Sequence, residues 1–207
     1  MIRLIFHVMA TLALLFCAAL GAIHAQPYDD DGLAAQFSPD HCGCFLGIHP
    51  GETTRLQALL LLHTHPWVGT VTANNDGTIA WTWNGSEPAF LGGRPARLMI
   101  VDGVVRWISL PTSAQLADLA FAFGAPNAAY FFIWQVSDSS TLLLHYFEER
   151  DSYYAQQFEA STSVLCPLTP ARMWALPVTI TLPAPSTHST LLYVVRDAFT
   201  PMSEVCR

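Results

Sequence analysis

Hydrophobic and polar positions along the chain switch between a helical period and a strand period. After a turn at Pro50-Gly51, Thr54 and Gln57 form a capping box, in which each side chain satisfies a backbone N–H of the other residue. Residues at the helical spacing i, i+3, i+4 and i+7 follow: Leu56, Leu59, Leu60 and His63. This pattern predicts a helix with one apolar face, which ends before Pro66.

Period-two segments follow this helix and predict antiparallel strands. Residues 67–72 and 78–83 flank Asn75-Asp76-Gly77, and residues 96–101 and 104–110 flank Asp102-Gly103. Asp-Gly is a strong signal for a tight hairpin turn. In the second of these strands, Ile79, Trp81 and Trp83 share one side.

The same order of elements then begins again. Thr112 and Gln115 form a second predicted capping box, followed at helical spacing by Leu116, Leu119, Ala120 and Phe123, with Gly124 as the stop signal. Strands are predicted at 129–136, 141–147, 153–161, 178–182 and 190–195, with a charged turn at 148–151 and a helix as the alternative for 153–161. A capped helix and its strands thus occur twice, 58 residues apart, which favours a duplication over chance recurrence.

These elements predict an α+β fold of tandem repeats, each with helices packed on one face of an antiparallel sheet. The predicted segments are a signal peptide at 1–25, an extended N-terminal segment at 26–43, a first repeat at 44–110 and a second at 111–207. Arg3, the apolar run to Ala22 and the small Ala25 are typical of a cleaved secretory signal. The alternative is an uncleaved membrane anchor; lipidation at Cys17 is disfavoured by the bulky Phe16.

Composition and charge narrow the possible partners. The chain is 52% hydrophobic and 12% charged, and it contains no Lys. Cleavage after Ala25 would leave eight Arg against sixteen acidic residues, a formal charge of −8. This balance disfavours nucleic acid, whose recognition needs clustered basic residues. We also expect no membrane-spanning segment after cleavage and no cofactor; another protein, a peptide or a glycan is the expected partner.

Four cysteines follow the leader: Cys42, Cys44, Cys166 and Cys206. An even number in an exported chain predicts disulfides, and a bridge within Cys42-Gly43-Cys44 would be strained. We therefore expect Cys42 and Cys44 to pair with Cys166 and Cys206, with both cross-pairings open. The alternatives are a metal site with His41 and His49 or a redox pair.

Two short motifs carry a resemblance to exported bacterial proteins. Residues 44–54 resemble a box, C-[FW]-x-G-I followed by P-G-x-T-T ahead of a helix, found in secreted proteins of unknown function. Phe123-Gly124-Ala125-Pro126 is similar to the Gly-x-Pro that ends the helical part of envelope modules such as BamE and the β-lactamase inhibitor proteins. Here the two motifs lie in different repeats, and Pro66 stands where the first would need Gly-x-Pro. The resemblance implies helices against a sheet and a binding or assembly module.

Candidate catalytic chemistry is weak. His63-Thr64-His65 could offer two imidazoles to a metal, but at the end of a helix these positions diverge, so a structural role is favoured. The sequence contains no G-x-S-x-G nucleophile motif, and Glu148 and Glu149 are adjacent, so on a strand they would point to opposite faces. We therefore predict neither catalytic nor metal-binding residues.

Aromatic residues give the one positive indication of function. The candidate partner-binding side chains are Trp81, Trp83, Tyr130, Phe132 and Trp134. They either fill the core or form an exposed sheet face that holds a partner. The leading hypothesis is a secreted, non-enzymatic binding module. The rivals are a secreted hydrolase or metal-dependent enzyme with an unrecognised site, and an envelope stability factor.

Overall fold

The structure is a computed structural model of the chain. It describes residues 9, 11–12, 14–18, 32–37, 43–126, 128–133, 139–150, 153–165 and 169–184. The described residues between 9 and 18 are helical. Among the described helices, none has both the length and the apolar character needed to cross a membrane.

Apart from the helical residues between 9 and 18, four helices and eight strands make up the described fold. The helices are α1 (Leu33–Phe37), α2 (Arg55–Thr64), α3 (Leu116–Phe123) and α4 (Pro170–Trp174), and a 3-10 turn spans Ala89–Leu91. The strands are β1 (Val68–Ala73), β2 (Thr78–Trp83), β3 (Ala96–Val101), β4 (Val104–Gln115), β5 (Ala128–Ile133), β6 (Ser139–Arg150), β7 (Tyr153–Leu165) and β8 (Pro177–Pro183).

All eight strands belong to one antiparallel sheet with the order β1-β2-β3-β4-β8-β7-β6-β5. The sheet consists of two four-strand meanders that join where β4 pairs with β8. Helix α2 precedes the first meander and α3 precedes the second. The α+β class is therefore confirmed. The duplication stays a prediction; a helix followed by four strands recurs, but α4 is inserted between β7 and β8 in the second half.

The two predicted repeats share one sheet and one core. Their boundary at residues 110 and 111 lies inside β4, which runs to Gln115. Buried side chains from both meanders, such as Leu98 and Ile180, belong to a single hydrophobic cluster. The halves therefore stabilise each other across the β4–β8 ladder.

The second capping box was predicted at the wrong residues. Thr112 is a buried residue of β4, and helix α3 begins after Gln115. The capping box is formed by Gln115 and Asp118, and the Gln115 backbone N–H donates to Asp118 Oδ2 at 2.7 Å. The two boxes are thus 61 residues apart, from Thr54 to Gln115. The end of α3 at Gly124 is confirmed, with its N–H bonded to the Ala120 carbonyl.

Helix α2 begins as predicted but buries a different face. The capping box of Thr54 and Gln57 is present. The buried residues are Ala58 and Leu62, whereas Leu56 is 78% exposed and Leu60 is 64% exposed. The Arg55 N–H donates to the Gly103 carbonyl, and Thr54 bridges to Val104, so the β3–β4 turn fixes the rotation of the helix.

The segment 26–43 is not extended throughout, because residues 33–37 form α1. Leu33 is 1% exposed and Phe37 is 4% exposed. The ring of Phe37 lies between Phe45, Phe90 and Phe158, at centroid distances of 6.3, 6.0 and 5.7 Å. A five-residue helix is too short for a periodic signal, and two buried side chains hold it in the core.

Most predicted strands are confirmed, some with shifted ends. Strands β2 and β3 have the predicted bounds, and β7 excludes the helical alternative for 153–161. The charged turn was wrong for residues 148–150, which continue β6 and pair with β7. The predicted strand at 190–195 lies outside the described residues.

Candidate functional site

Within the described part of the chain, the helices pack on one face of the sheet. On the covered, inner face, alternating side chains such as Ile79, Leu98 and Ile108 are buried with Leu62 of α2 and Leu119 of α3. The alternate positions form the outer face, which includes Arg97, Trp107, Ser109, Ser163, Thr181 and Glu159. All of these except Ser109 are half-buried or exposed. The outer face is therefore the accessible surface of the sheet.

Two of the predicted partner-binding aromatics belong to the inner face. Trp81 is 1% exposed, so it fills the core and is not available to a partner. Trp83 is half-buried; its indole N–H donates to the Arg94 carbonyl at 2.8 Å, and its ring meets Phe45 edge-on. Trp81 and Trp83 also meet edge-on, at a centroid distance of 5.7 Å. For this pair, the alternative that the aromatics fill the core is the one that the structure supports.

The Trp81 indole N–H is buried and makes no hydrogen bond within the described part of the chain. A buried donor without an acceptor is costly, by about 1–3 kcal/mol. Its neighbour Trp83 does have an acceptor, which fits its position near the edge of the core.

The other predicted aromatics lie in the second meander. Tyr130 pairs with Leu143 and Phe132 pairs with Thr141. Their main-chain pairing is described, and the prediction that their side chains bind a partner stays a prediction. Trp134 lies outside the described residues.

Trp107 is an outer-face aromatic that sequence reasoning did not select. It pairs with Met99 on β3 and with Pro183 on β8. The Arg97 guanidinium carbon lies 5.8 Å from the centre of its ring, a cation–π contact. The available signal was the alternation of β4, in which Trp107 is out of phase with the buried Ile108 and Leu110.

A polar row crosses the centre of the outer face. Cross-strand pairing joins Arg97 of β3 to Ser109 of β4, Ser109 to Thr181 of β8, and Thr181 to Glu159 of β7. Arg97 is exposed, Ser109 is 5% exposed, and Thr181 and Glu159 are half-buried. These four positions therefore carry a positive charge, two hydroxyls and a negative charge, and the pairing continues to Ala80 beside Arg97 and to His145 beside Glu159. We name these four residues the polar row.

The two histidines at the end of α2 differ in burial and in contacts. His65 Nδ1 accepts a hydrogen bond from the Trp67 backbone N–H at 3.2 Å, and their rings lie 5.0 Å apart. Burial lowers the pKa of His65 below its usual 6.5. His63 is exposed. Across the residues that the structure describes, no three His, Cys, Asp or Glu side chains are grouped as metal ligands.

The cysteine predictions fall mostly on residues that are not described. Cys17, in the predicted signal peptide, is free and exposed. Cys44 is half-buried next to the Phe45–Ile48 bridge, and its disulfide stays a prediction. Cys42, Cys166 and Cys206 lie outside the described residues, so the cross-pairing stays a prediction.

Comparison of the chain with protein-family models, with curated proteins and with solved structures finds no match. The resemblance to BamE-like modules and to the secreted proteins with the residue 44–54 box therefore stays a prediction. Any proposal about function depends on the geometry of the sheet.

Proposed function

We propose that the protein is an exported, non-enzymatic binding or assembly module that holds a protein partner on the outer face of its sheet. The observation that carries this proposal is the division of the sheet into two faces. Helices and the Phe37 cluster fill the inner face, whereas the half-buried Trp107 and the exposed Arg97 lie together on the outer face.

The residue types and the shape of the outer face support a macromolecular partner. Trp, Tyr and Arg are enriched among the residues that dominate binding energy at protein interfaces. Small-molecule sites are concave, whereas this face is a broad sheet surface. A protein or peptide is therefore favoured over a small ligand, and a glycan stays the alternative partner.

The proposed setting is extracytoplasmic. The apolar leader with Arg3 and Ala25, the acidic balance of the remaining chain and the even number of later cysteines support export. The buried α1 would then tie the segment that follows the leader to the core.

Site-specific photo-crosslinking in producing cells tests the proposal. A photoreactive amino acid at Ser163, an exposed outer-face position on β7, is expected to give an adduct of defined mass. The matched control carries the same group at Leu56, which is 78% exposed on the helix side. Adducts from Leu56 with none from Ser163 would show that the outer face is not the binding surface.

Alanine variants combined with the Ser163 crosslinker identify which side chains contribute to binding. Trp107→Ala is expected to reduce the Ser163 adduct strongly. Trp174→Ala removes a tryptophan that is 47% exposed on α4 and is expected to leave the adduct unchanged. Equal yields from both variants would contradict a role for Trp107.

A further inference from the structure

We propose that the partner held by the outer face is a second copy of this chain. This inference rests on the proposed function, because it names the partner of the same surface. The two copies meet face to face about a two-fold axis that runs parallel to the strands, between β4 and β8. The proposal is based on the order of charges along the polar row.

The polar row is self-complementary. From β3 to β7 its members are a guanidinium, two hydroxyls and a carboxylate, with the midpoint between Ser109 and Thr181. Rotation about an axis along the strands at this midpoint exchanges the two ends of the row. Arg97 of each copy then faces Glu159 of the other, and Ser109 of each faces Thr181 of the other.

The charges of Arg97 and Glu159 also favour an axis along the strands over one that runs across them. A two-fold axis running across the strands, along the row itself, would place Arg97 against Arg97 and Glu159 against Glu159. Like charges that meet across an interface strongly disfavour association. Face-to-face sheets pack about 10 Å apart, a gap that an arginine and a glutamate can bridge between them.

The neighbouring row fits the same rotation. Met99, Trp107 and Pro183 lie side by side on β3, β4 and β8. The axis along the strands brings the Trp107 ring of one copy against Pro183 of the other, on both sides of the axis. Arg97 is already held over the Trp107 ring, which reduces the side-chain entropy lost on association.

The outer face is large enough for a stable dimer. Eight strands spaced about 4.8 Å apart and about six residues long give a surface of roughly 38 by 20 Å. This is about 750 Å², close to the roughly 800 Å² that each partner buries in a standard interface. Small side chains at the centre, such as Ser109 and Thr181, allow the two sheets to approach closely.

Charge reversal with complementation tests the pairing. The full chain, as its host processes it, is studied by analytical ultracentrifugation. Wild type is expected to be a dimer, and its dissociation constant is expected to rise with salt concentration. Arg97→Glu alone or Glu159→Arg alone creates two like-charge contacts, so each is expected to raise the dissociation constant by at least about 100-fold.

Mixing the two variants in equal amounts is expected to restore the dimer. In the mixed pair, Glu at position 97 of one chain faces Arg at position 159 of the other, and the remaining Arg97 faces the remaining Glu159. The control Arg55→Glu makes the same charge change at the start of α2, on the helix side, and is expected to remain dimeric. A misfolded variant could not be rescued by mixing.

Concentration-dependent oxidation of wild type gives a test without substitutions. Trp107 and Met99 are expected to react several-fold more slowly with hydroxyl radicals at concentrations where the dimer forms. Trp174, on α4, is expected to react at the same rate at both concentrations. Unchanged reactivity of Trp107 in a dimeric sample would overturn the proposal, because the copies would then meet elsewhere.

The outcomes separate this inference from the proposed function. A wild-type chain that is monomeric at all accessible concentrations overturns the second copy as partner, while a Ser163 adduct of another mass would still support a binding face. Dimers that persist in both single variants, or variants that do not recombine, overturn the face-to-face arrangement. A Ser163 adduct of twice the chain mass would support the face-to-face dimer.

Discussion

The hydroxyl of Thr112 on β4 donates a hydrogen bond to the carbonyl oxygen of Val178 on β8, at a distance of 2.7 Å. The ladder between these two strands shifts register between Pro111 and Gln115, so the main chain alone leaves this part of the junction irregular. Thr162 on β7 similarly donates to the neighbouring Pro177 carbonyl at 2.8 Å. The Thr112 hydroxyl thus supplements the ladder where the two halves meet, and the Thr162 hydroxyl supplements the adjacent β7–β8 pair.

Thr112→Val is expected to destabilise the fold by about 1–3 kcal/mol, because it leaves the Val178 carbonyl without its donor in a buried setting. The free energy of unfolding from urea titration measures the change. Thr112→Ser is the matched control, since it keeps the hydroxyl and is expected to lose less. Equal losses in the two variants would show that the hydrogen bond contributes little.

Truncating one buried and one exposed leucine of α2 tests which face of the helix packs on the core. Leu62→Ala is expected to cost about 2–5 kcal/mol, because it opens a cavity at a fully buried position. Leu56→Ala removes a side chain that is 78% exposed and is expected to change stability by less than about 0.5 kcal/mol. The reverse order would mean that the helix buries the face predicted from its sequence spacing.

Protonation of His65 is expected to weaken the fold below its unfolded pKa of about 6.5. Burial lowers the pKa of His65 in the folded state, so the unfolded chain binds this proton first as the pH falls. Stability from this group is complete above pH 6.5 and declines until the lowered folded pKa is reached. His65→Asn keeps an acceptor for the Trp67 N–H without titrating.

Urea midpoints measured over this pH range should therefore fall more steeply for wild type than for His65→Asn. The imidazole resonances of His65 give its folded pKa directly by NMR titration. Identical slopes for the two proteins would contradict the assignment of the pH dependence to His65.

The expected disulfides can be read from peptides of the unreduced protein. We expect linked peptides that join Cys42 and Cys44 to Cys166 and Cys206 in one of the two cross-pairings. Each bridge would close a loop of more than 100 residues, and its reduction is expected to cost about 4 kcal/mol. A Cys42–Cys44 bridge would instead leave both residues in one peptide without a partner.

Predictions were correct for turns and helix starts whose backbone conformation depends on residues close together in the chain. The Asp102-Gly103 turn joins β3 to β4, and Thr54 with Gln57 starts α2, as predicted. The same Thr-x-x-Gln pattern at Thr112 and Gln115 did not start a helix. There the hydroxyl found a carbonyl 66 residues away, and a buried strand was more stable than a local cap.

The candidate site was only partly predictable. An aromatic sheet face was expected, but Trp81 is in the core, whereas Trp107, Arg97 and Glu159 were not selected. Alternation along a strand sorts side chains into two faces but does not say which face the helices will cover. Glu159 and Arg97 lie 62 residues apart in the chain and share a row only through the pairing of four strands.

The amino-acid sequence by itself determined the α+β class, the start of α2 and most strands, because these depend on contacts between residues close in the chain. Tertiary structure decided the rotation of α2, the burial of Leu33 and Phe37, and the charge order of the outer face. These depend on which distant surfaces meet. Burial energy is gained only when two such surfaces pack, so it cannot be read from one segment alone.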